Sequence, residues 1–247
     1  MSAKRRTGPR TVAIVLAAGE GVRSGGRKQF REAGGRSVMR HAVEGLIGMR
    51  EIQGLVVVVP ADAIETTRAE LEDVEGLVDV VAGGATRHLS SRAGLAALPE
   101  SVQYVLIHDA ARPFASPKMV RRVLRAARDV GAAVPAVPVS DSMVELTSDG
   151  GLRRYLDRRT LRAIQTPQAF SREVIDAAFA RVRRTDFTDD ASVVRRAGRR
   201  VEVVEGDPAN VKITSTEDLE HALRLLAPPA TVTPLPEMPR PRRKKGS

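Results

Sequence analysis

Residues 15–30 read VLAAGEGVRSGGRKQF: the apolar run Val15-Leu16-Ala17-Ala18 gives way to glycines at 19, 21, 25 and 26. Arg23 and Lys28 follow within a dozen positions. An apolar strand that breaks into a glycine-rich loop brings backbone N–H groups close to an anion, because no side chain stands between them. A guanidinium forks onto a phosphate while an ammonium acts as a compact charge, and this loop supplies both. It is neither of two familiar phosphate loops. A Walker loop needs Gly-Lys followed by Ser or Thr, and the chain has Arg27-Lys28-Gln29. A dinucleotide fingerprint opens a helix within the motif and places an acid at the end of the second strand; here the next helix signal waits until Ser37, and Pro60 stands in the acid's place. A nicotinamide-dependent oxidoreductase is disfavoured on both counts.

Outward from this loop, short β-branched runs alternate with amphipathic segments. Strands are expected at 11–17, 55–59, 78–82, 104–108, 132–137 and 201–204, several apolar on both faces as central strands of a parallel sheet must be. Helices are expected at 37–48, 61–74, 86–98, 117–130, 172–183 and 215–226, with Ser116-Pro117 and Ser215 as start signals. The alternation predicts an α/β fold: a doubly wound, mostly parallel, Rossmann-like sheet with its site at the strands' carboxyl ends. Residues 138–166 break the rhythm. Alternating stretches around Ser148-Asp149-Gly150-Gly151 read as a projecting β-hairpin. A lone hairpin is marginal in water, so this arm needs a surface, and a second copy of the chain is the economical one.

The 247 residues suit one large α/β domain, placed at 11–226. The net charge of +10 suggests nucleic acid until it is located. Residues 1–10 carry +4, residues 237–247 another +4, and the body between them only +2. The tails, 1–10 and the proline-rich 227–247, read as disordered. With five Phe, two Tyr and no Trp there is little surface on which to stack bases, so no nucleic-acid partner is expected. No apolar run reaches membrane-spanning length and the N-terminus lacks a signal-peptide core, so a cytoplasmic protein without a membrane partner is expected. The absence of cysteine excludes disulfides, thiolate metal sites and a cysteine nucleophile.

Further segments follow the loop in order: HDAARPF at 108–114, DSM at 141–143, LDR at 156–158, TPQAF at 166–170, TDDA at 188–191 and NVKIT at 210–214. Together with Ala-Ala-Gly-x-Gly-x-Arg and Lys-Gln-Phe they resemble the 2-C-methyl-D-erythritol 4-phosphate cytidylyltransferase family of sugar-phosphate nucleotidyltransferases, over roughly residues 11 to 226. The resemblance implies transfer of the cytidylyl group of CTP to methylerythritol phosphate with release of pyrophosphate, in non-mevalonate isoprenoid precursor synthesis. A cytidylyltransferase for another alditol phosphate, such as ribitol 5-phosphate, is the alternative.

It implies Arg23 and Lys28 as the catalytic cations on the triphosphate. Backbone at Ala17, Ala18 and Gly19, together with Gly83, Gly84 and Ser90, would hold the nucleotide. Asp109, which closes the apolar run YVLIHD, would meet the ribose or a divalent cation such as Mg²⁺; a plain turn aspartate is the alternative. Arg112, Ser142, Arg158, Thr188 and Lys212 would bind the alditol phosphate, with Arg158 reaching across from the partner's arm in an arm-exchanged homodimer. His108 is expected to be structural. The chain departs from the family pattern at Ser24 (usually Met), Arg27 (commonly Pro) and Ser142 (usually Thr).

Overall fold

The computed structural model describes residues 10–19 and 26–226. In chain order the elements are β1 (Thr11–Leu16), β2 (Glu32–Ala33), β3 (Arg36–Ser37), α1 (Val38–Ile47), β4 (Gly54–Val59), α2 (Ile64–Glu70), β5 (Leu77–Ala82), α3 (Arg87–Ala96), β6 (Tyr104–Asp109) and α4 (Pro117–Val130). There follow β7 (Ala132–Pro138), β8 (Met143–Leu146), β9 (Leu152–Leu156), β10 (Arg162–Ile164), β11 (Gln168–Ser171), α5 (Arg172–Arg181), α6 (Asp190–Arg196), β12 (Glu202–Glu205) and α7 (Thr216–Leu226).

The strands form an eight-stranded sheet in which β1 lies between β4 and β6, both parallel to it, and β5 runs parallel to β4 at one edge. At the other end β7 pairs in parallel with β12 along one side. On its opposite side it takes β10 and β11, both antiparallel, and β11 bridges it to β6. Six strands therefore share one direction, and their carboxyl ends line one rim. That is the doubly wound, mostly parallel sheet the alternation predicts.

The sheet is covered on both faces, which is why β4, Gly-Leu-Val-Val-Val-Val, is buried at every position. Ala13, Val15, Leu55, Val57 and Leu106 meet α1, α2 and α4 on one side. Val12, Ile14, Val56, Val58 and Ile107 meet α3, α5 and α6 on the other. Helix α4 shows how local sequence sets the boundaries. Ser116 caps it by accepting from Met119 N–H, Pro117 opens it, and Gly131 ends it in the left-handed region at φ +92°. Helix α7 packs with β2 and the start of α1 in a small separate cluster around Ala33, Val38, Ile213, Leu219 and Ala222.

Two expectations change. The segment read as one arm, 138–166, is divided: β7 extends to Pro138 and β10 returns at Arg162, both in the main sheet, so only β8 and β9 stand apart from it. The expected helix at 61–74 is a 3₁₀ turn, Ala61–Ala63, followed by α2, which ends at Glu70. The tails read as disordered lie, apart from Arg10, outside the described residues.

Candidate active site

A cavity of about 840 Å³ opens at the carboxyl rim of the sheet, within the usual size of ligand pockets. Its wall comes from the strand ends. Leu16, Ala17, Ala18 and Gly19 follow β1; Gly84, Ala85, Thr86 and Arg87 follow β5; Asp109 ends β6. Lys28 and Gln29 come from the far side of the glycine-rich loop, and Lys212, Ile213 and Thr214 from the segment after β12.

Close approach shapes the wall between β1 and β5. Gly83 N–H donates to Val59 O at 2.7 Å, and a Cβ on Gly83 would lie 2.4 Å from Ala18 Cβ and 2.8 Å from Ser90 Oγ. Only glycine lets the end of β5 come that near the loop after β1. Ser90 Oγ accepts from Gly84 N–H at 3.2 Å, fixing the turn into α3. Thr86 caps that helix, its hydroxyl accepting from Leu89 N–H.

The electrostatic centre is Asp109. One oxygen accepts from Arg87 Nε and Nη2 at 3.2 and 3.1 Å, and the other from Lys212 Nζ at 2.7 Å. Burial alone would raise this carboxyl's pKa; Arg87 and Lys212 outweigh burial and hold it well below the usual carboxylate range. Arg87 is itself shared, because Nη1 donates to Asp190 Oδ2 at 2.7 Å. Burial works against the guanidinium's charge, but Asp190 and Asp109 raise its pKa above the ordinary value. Asp190, 1% exposed, is brought there by Gln168, whose amide donates to Asp189 Oδ2 and accepts from Ala191 N–H at the start of α6.

His108 is structural, as expected. Its Nε2 faces Arg112 O at 2.9 Å, so that nitrogen carries the proton and Nδ1 accepts from the Thr166 hydroxyl at 3.0 Å. The hydroxyl oxygen in turn accepts from Asp109 N–H. Burial pushes the imidazole down to about 4, so the ring stays neutral near pH 7 and works as a brace beneath Asp109.

Of the residues singled out from the sequence, Ala17, Ala18, Gly19, Lys28, Gly84, Ser90, Asp109 and Lys212 line this one cavity, with Gly83 packed behind Ala18. Arg23 lies outside the described residues. Arg112 is not on the cavity wall: its Nη1 donates to Asn210 O at 2.8 Å, holding the segment that carries Lys212. Thr188 is exposed just ahead of α6, and Ser142 and Arg158 sit on the exposed arm, where Arg158 Nη1 donates to Ser140 O. None of these three lines the cavity of its own chain. Arg87, Asp190, Thr166 and Gln29 were not anticipated. Arg87 had one legible signal, its place just beyond the carboxyl end of an expected strand.

Residues 11–227 match the family described as IspD: 2-C-methyl-D-erythritol 4-phosphate cytidylyltransferase. The chain belongs to this family. It is 43% identical over 215 residues to a protein of a Bradyrhizobium species named bifunctional enzyme IspD/IspF, covering 85% of this chain and 54% of that protein. The chain thus spans about half the length of the curated relatives it matches. Among solved structures, the 4-diphosphocytidyl-2C-methyl-D-erythritol synthase of Anaerococcus prevotii matches with a TM-score of 0.77 and 32% identity, over 88% of this chain and 98% of that one. The 2-C-methyl-D-erythritol 4-phosphate cytidylyltransferase of Thermus thermophilus matches with a TM-score of 0.72 and 34% identity, over 87% and 98%. Among the described residues, no helix is long and apolar enough to cross a membrane.

Proposed function

We propose that this chain transfers the cytidylyl group of CTP to 2-C-methyl-D-erythritol 4-phosphate and releases pyrophosphate, a step of non-mevalonate isoprenoid precursor synthesis. The observation that carries the reading is the convergence of Lys28, Arg87 and Lys212, from three separate parts of the chain, on one cavity that also holds Asp109 and the backbone of residues 17–19. Two polyanions must meet and a third must leave, so positioning and charge stabilisation matter more than proton transfer.

In this mechanism a phosphate oxygen of the alditol phosphate attacks the α-phosphorus of CTP in line. The new P–O bond forms as the bond from the α-phosphorus to the α–β bridging oxygen breaks, and pyrophosphate departs with that electron pair. The nucleophile is already anionic near neutral pH, so no base is required. The nearby imidazole, His108, agrees with this, since both of its ring nitrogens are engaged. Lys28, with Arg23, neutralises charge that grows on the departing phosphates. Lys212 holds the incoming phosphate and exchanges its partner Asp109 for it.

Mg²⁺ belongs to the same proposal. A single carboxylate kept ionised on the wall of a phosphate site suits an ion that completes its shell with phosphate oxygens and water. Asp109 would hold it, and the bound ion would screen the triphosphate. A cytoplasmic setting, where nucleoside triphosphate and Mg²⁺ are both at hand, is part of the proposal as well.

A homodimer with exchanged arms is part of the same proposal, and the exposed surface of the arm supports it. Met143, Leu146, Leu152 and Tyr155 are exposed on β8 and β9, Tyr155 to 71%, and an isolated hairpin with such a surface is marginal in water. Exchange of arms between copies covers these side chains and delivers Arg158, with Ser142, to the neighbouring cavity. Mixing a Lys28→Ala chain with an Arg158→Ala chain should then rebuild one intact site per mixed dimer, restoring roughly half the wild-type turnover of that species. No recovery in dimers verified as mixed would show that each chain completes its own site.

The function itself is tested by pyrophosphate release from CTP with methylerythritol phosphate or with ribitol 5-phosphate, each with and without Mg²⁺. Preference for methylerythritol phosphate is expected. Preference for ribitol phosphate, or equal release without either acceptor, would overturn the assignment.

A further inference from the structure

The glycine-rich loop is tied at its feet by a neutral side chain. Gln29 Nε2 donates to Ala17 O at 2.6 Å and to Gly19 O at 2.9 Å, so one amide joins the residue after the loop to two residues before it. Two carbonyl oxygens accept nothing but a donor, which fixes the orientation of the amide. Gln29 is 8% exposed, lines the cavity, and stands in the 3₁₀ turn Lys28–Phe30 that also presents Lys28.

A backbone anion site has a directional requirement: N–H groups must face the ligand and carbonyl oxygens must not. In a trans peptide the two point in opposite directions, so holding Ala17 O also sets the direction of Ala18 N–H. The Ala18 and Gly19 N–H groups donate to no described residue, so both are open to a ligand or to water.

We infer that Gln29 is a positioning residue for the nucleotide: its amide withdraws the Ala17 and Gly19 carbonyls from the phosphate site, aims the adjoining N–H group, and fixes the turn that carries Lys28. This rests on the proposed nucleotide site and adds a residue through which that site is ordered.

The test compares CTP binding by calorimetry in the wild-type chain, Gln29→Met and Gln29→Glu, alongside thermal melts and the KM for the alditol phosphate. Gln29→Met keeps the length but cannot donate, so its CTP affinity should fall by about tenfold or more, with two carbonyls left unpaired. The KM for the alditol phosphate should stay within about twofold, because Lys212 and the arm are held by other contacts. The Gln29→Glu carboxyl repels both carbonyls when ionised and donates once when protonated. Its affinity relative to wild type should therefore recover between about pH 8 and pH 5.5, while that of Gln29→Met should not. Simple loss of packing would give neither the selectivity for CTP nor this difference in pH profile. Wild-type binding with unchanged affinity in Gln29→Met would overturn the role of Gln29 alone. Failure of the wild-type chain to bind CTP would overturn the nucleotide site and this role with it.

Discussion

Replacement of Lys28 by Ala is expected to lower kcat by about 10²–10³, the loss of about 3–4 kcal/mol that follows removal of one preorganised group facing transition-state charge. The residue is 8% exposed on the cavity wall, in a turn fixed by Phe30 N–H on Arg27 O and Arg31 N–H on Lys28 O. Neither bond involves the ammonium. The fold should therefore survive, with a melting temperature within about 4 °C of wild type, the shift that roughly 1 kcal/mol produces in a chain of this size. The turn is also anchored from outside the cavity: Arg27 Nη1 donates to both oxygens of Asp62, at 3.0 and 2.8 Å. Steady-state kinetics with a thermal melt on the same sample decides the matter. Turnover within a few-fold of wild type would remove Lys28 from the chemistry.

Asp109→Asn should show its largest effect on stability. Asp109 neutralises Arg87 and Lys212 in a nearly buried setting, and removing one partner from such a cluster strands the other charges. The expected cost is about 3 kcal/mol, the low end for a broken buried pair, because Asp190 still balances Arg87 and Lys212 is 43% exposed. The sign of the pH dependence follows from the depressed pKa of Asp109. A carboxyl that is more acidic folded than unfolded contributes fully above its unfolded pKa of about 4, and loses that contribution as the pH falls through the folded value. The stability difference between wild type and Asp109→Asn should hold from neutral pH down to about 4.5 and shrink below it. Urea unfolding at pH 7 and at about pH 3 measures this; a difference that does not change with pH would mean that Asp109 is not the charged partner.

Of the six parallel strands, β1, β4, β6 and β7 were legible as short runs apolar on both faces, a pattern that covered central strands impose, and the edge strands β5 and β12 as β-branched runs that each include an acid. The antiparallel β10 and β11 were not. They are three and four residues long, interrupted at Gln165-Thr166-Pro167, and followed a stretch whose turn signals belong to the β8–β9 hairpin. Helix α6 is seven residues long and carries no hydrophobic period of useful length. Its start, Thr188-Asp189-Asp190, was visible only as a motif.

The site divides in the same way. The loop, Asp109 and Lys212 could be found because strand ends and ordered motifs mark them. Arg87 is one of forty lysines and arginines, and its role emerges only where the ends of β5 and β6 meet the start of α6. Gln29 carries no charge to draw notice; only the two carbonyls in front of it reveal its work. The converse case is Arg112, whose motif suggests a ligand contact while its guanidinium holds Asn210.

The most direct test of the nucleotide site is a crystal structure of the chain with CTP and Mg²⁺. Triphosphate oxygens are expected within hydrogen-bonding distance, about 2.7–3.2 Å, of Lys28 Nζ and of the Ala18 or Gly19 N–H, with the base against Gly83–Gly84. A nucleotide bound away from the cavity, or inside it with its phosphates turned from Lys28, would contradict the proposed chemistry.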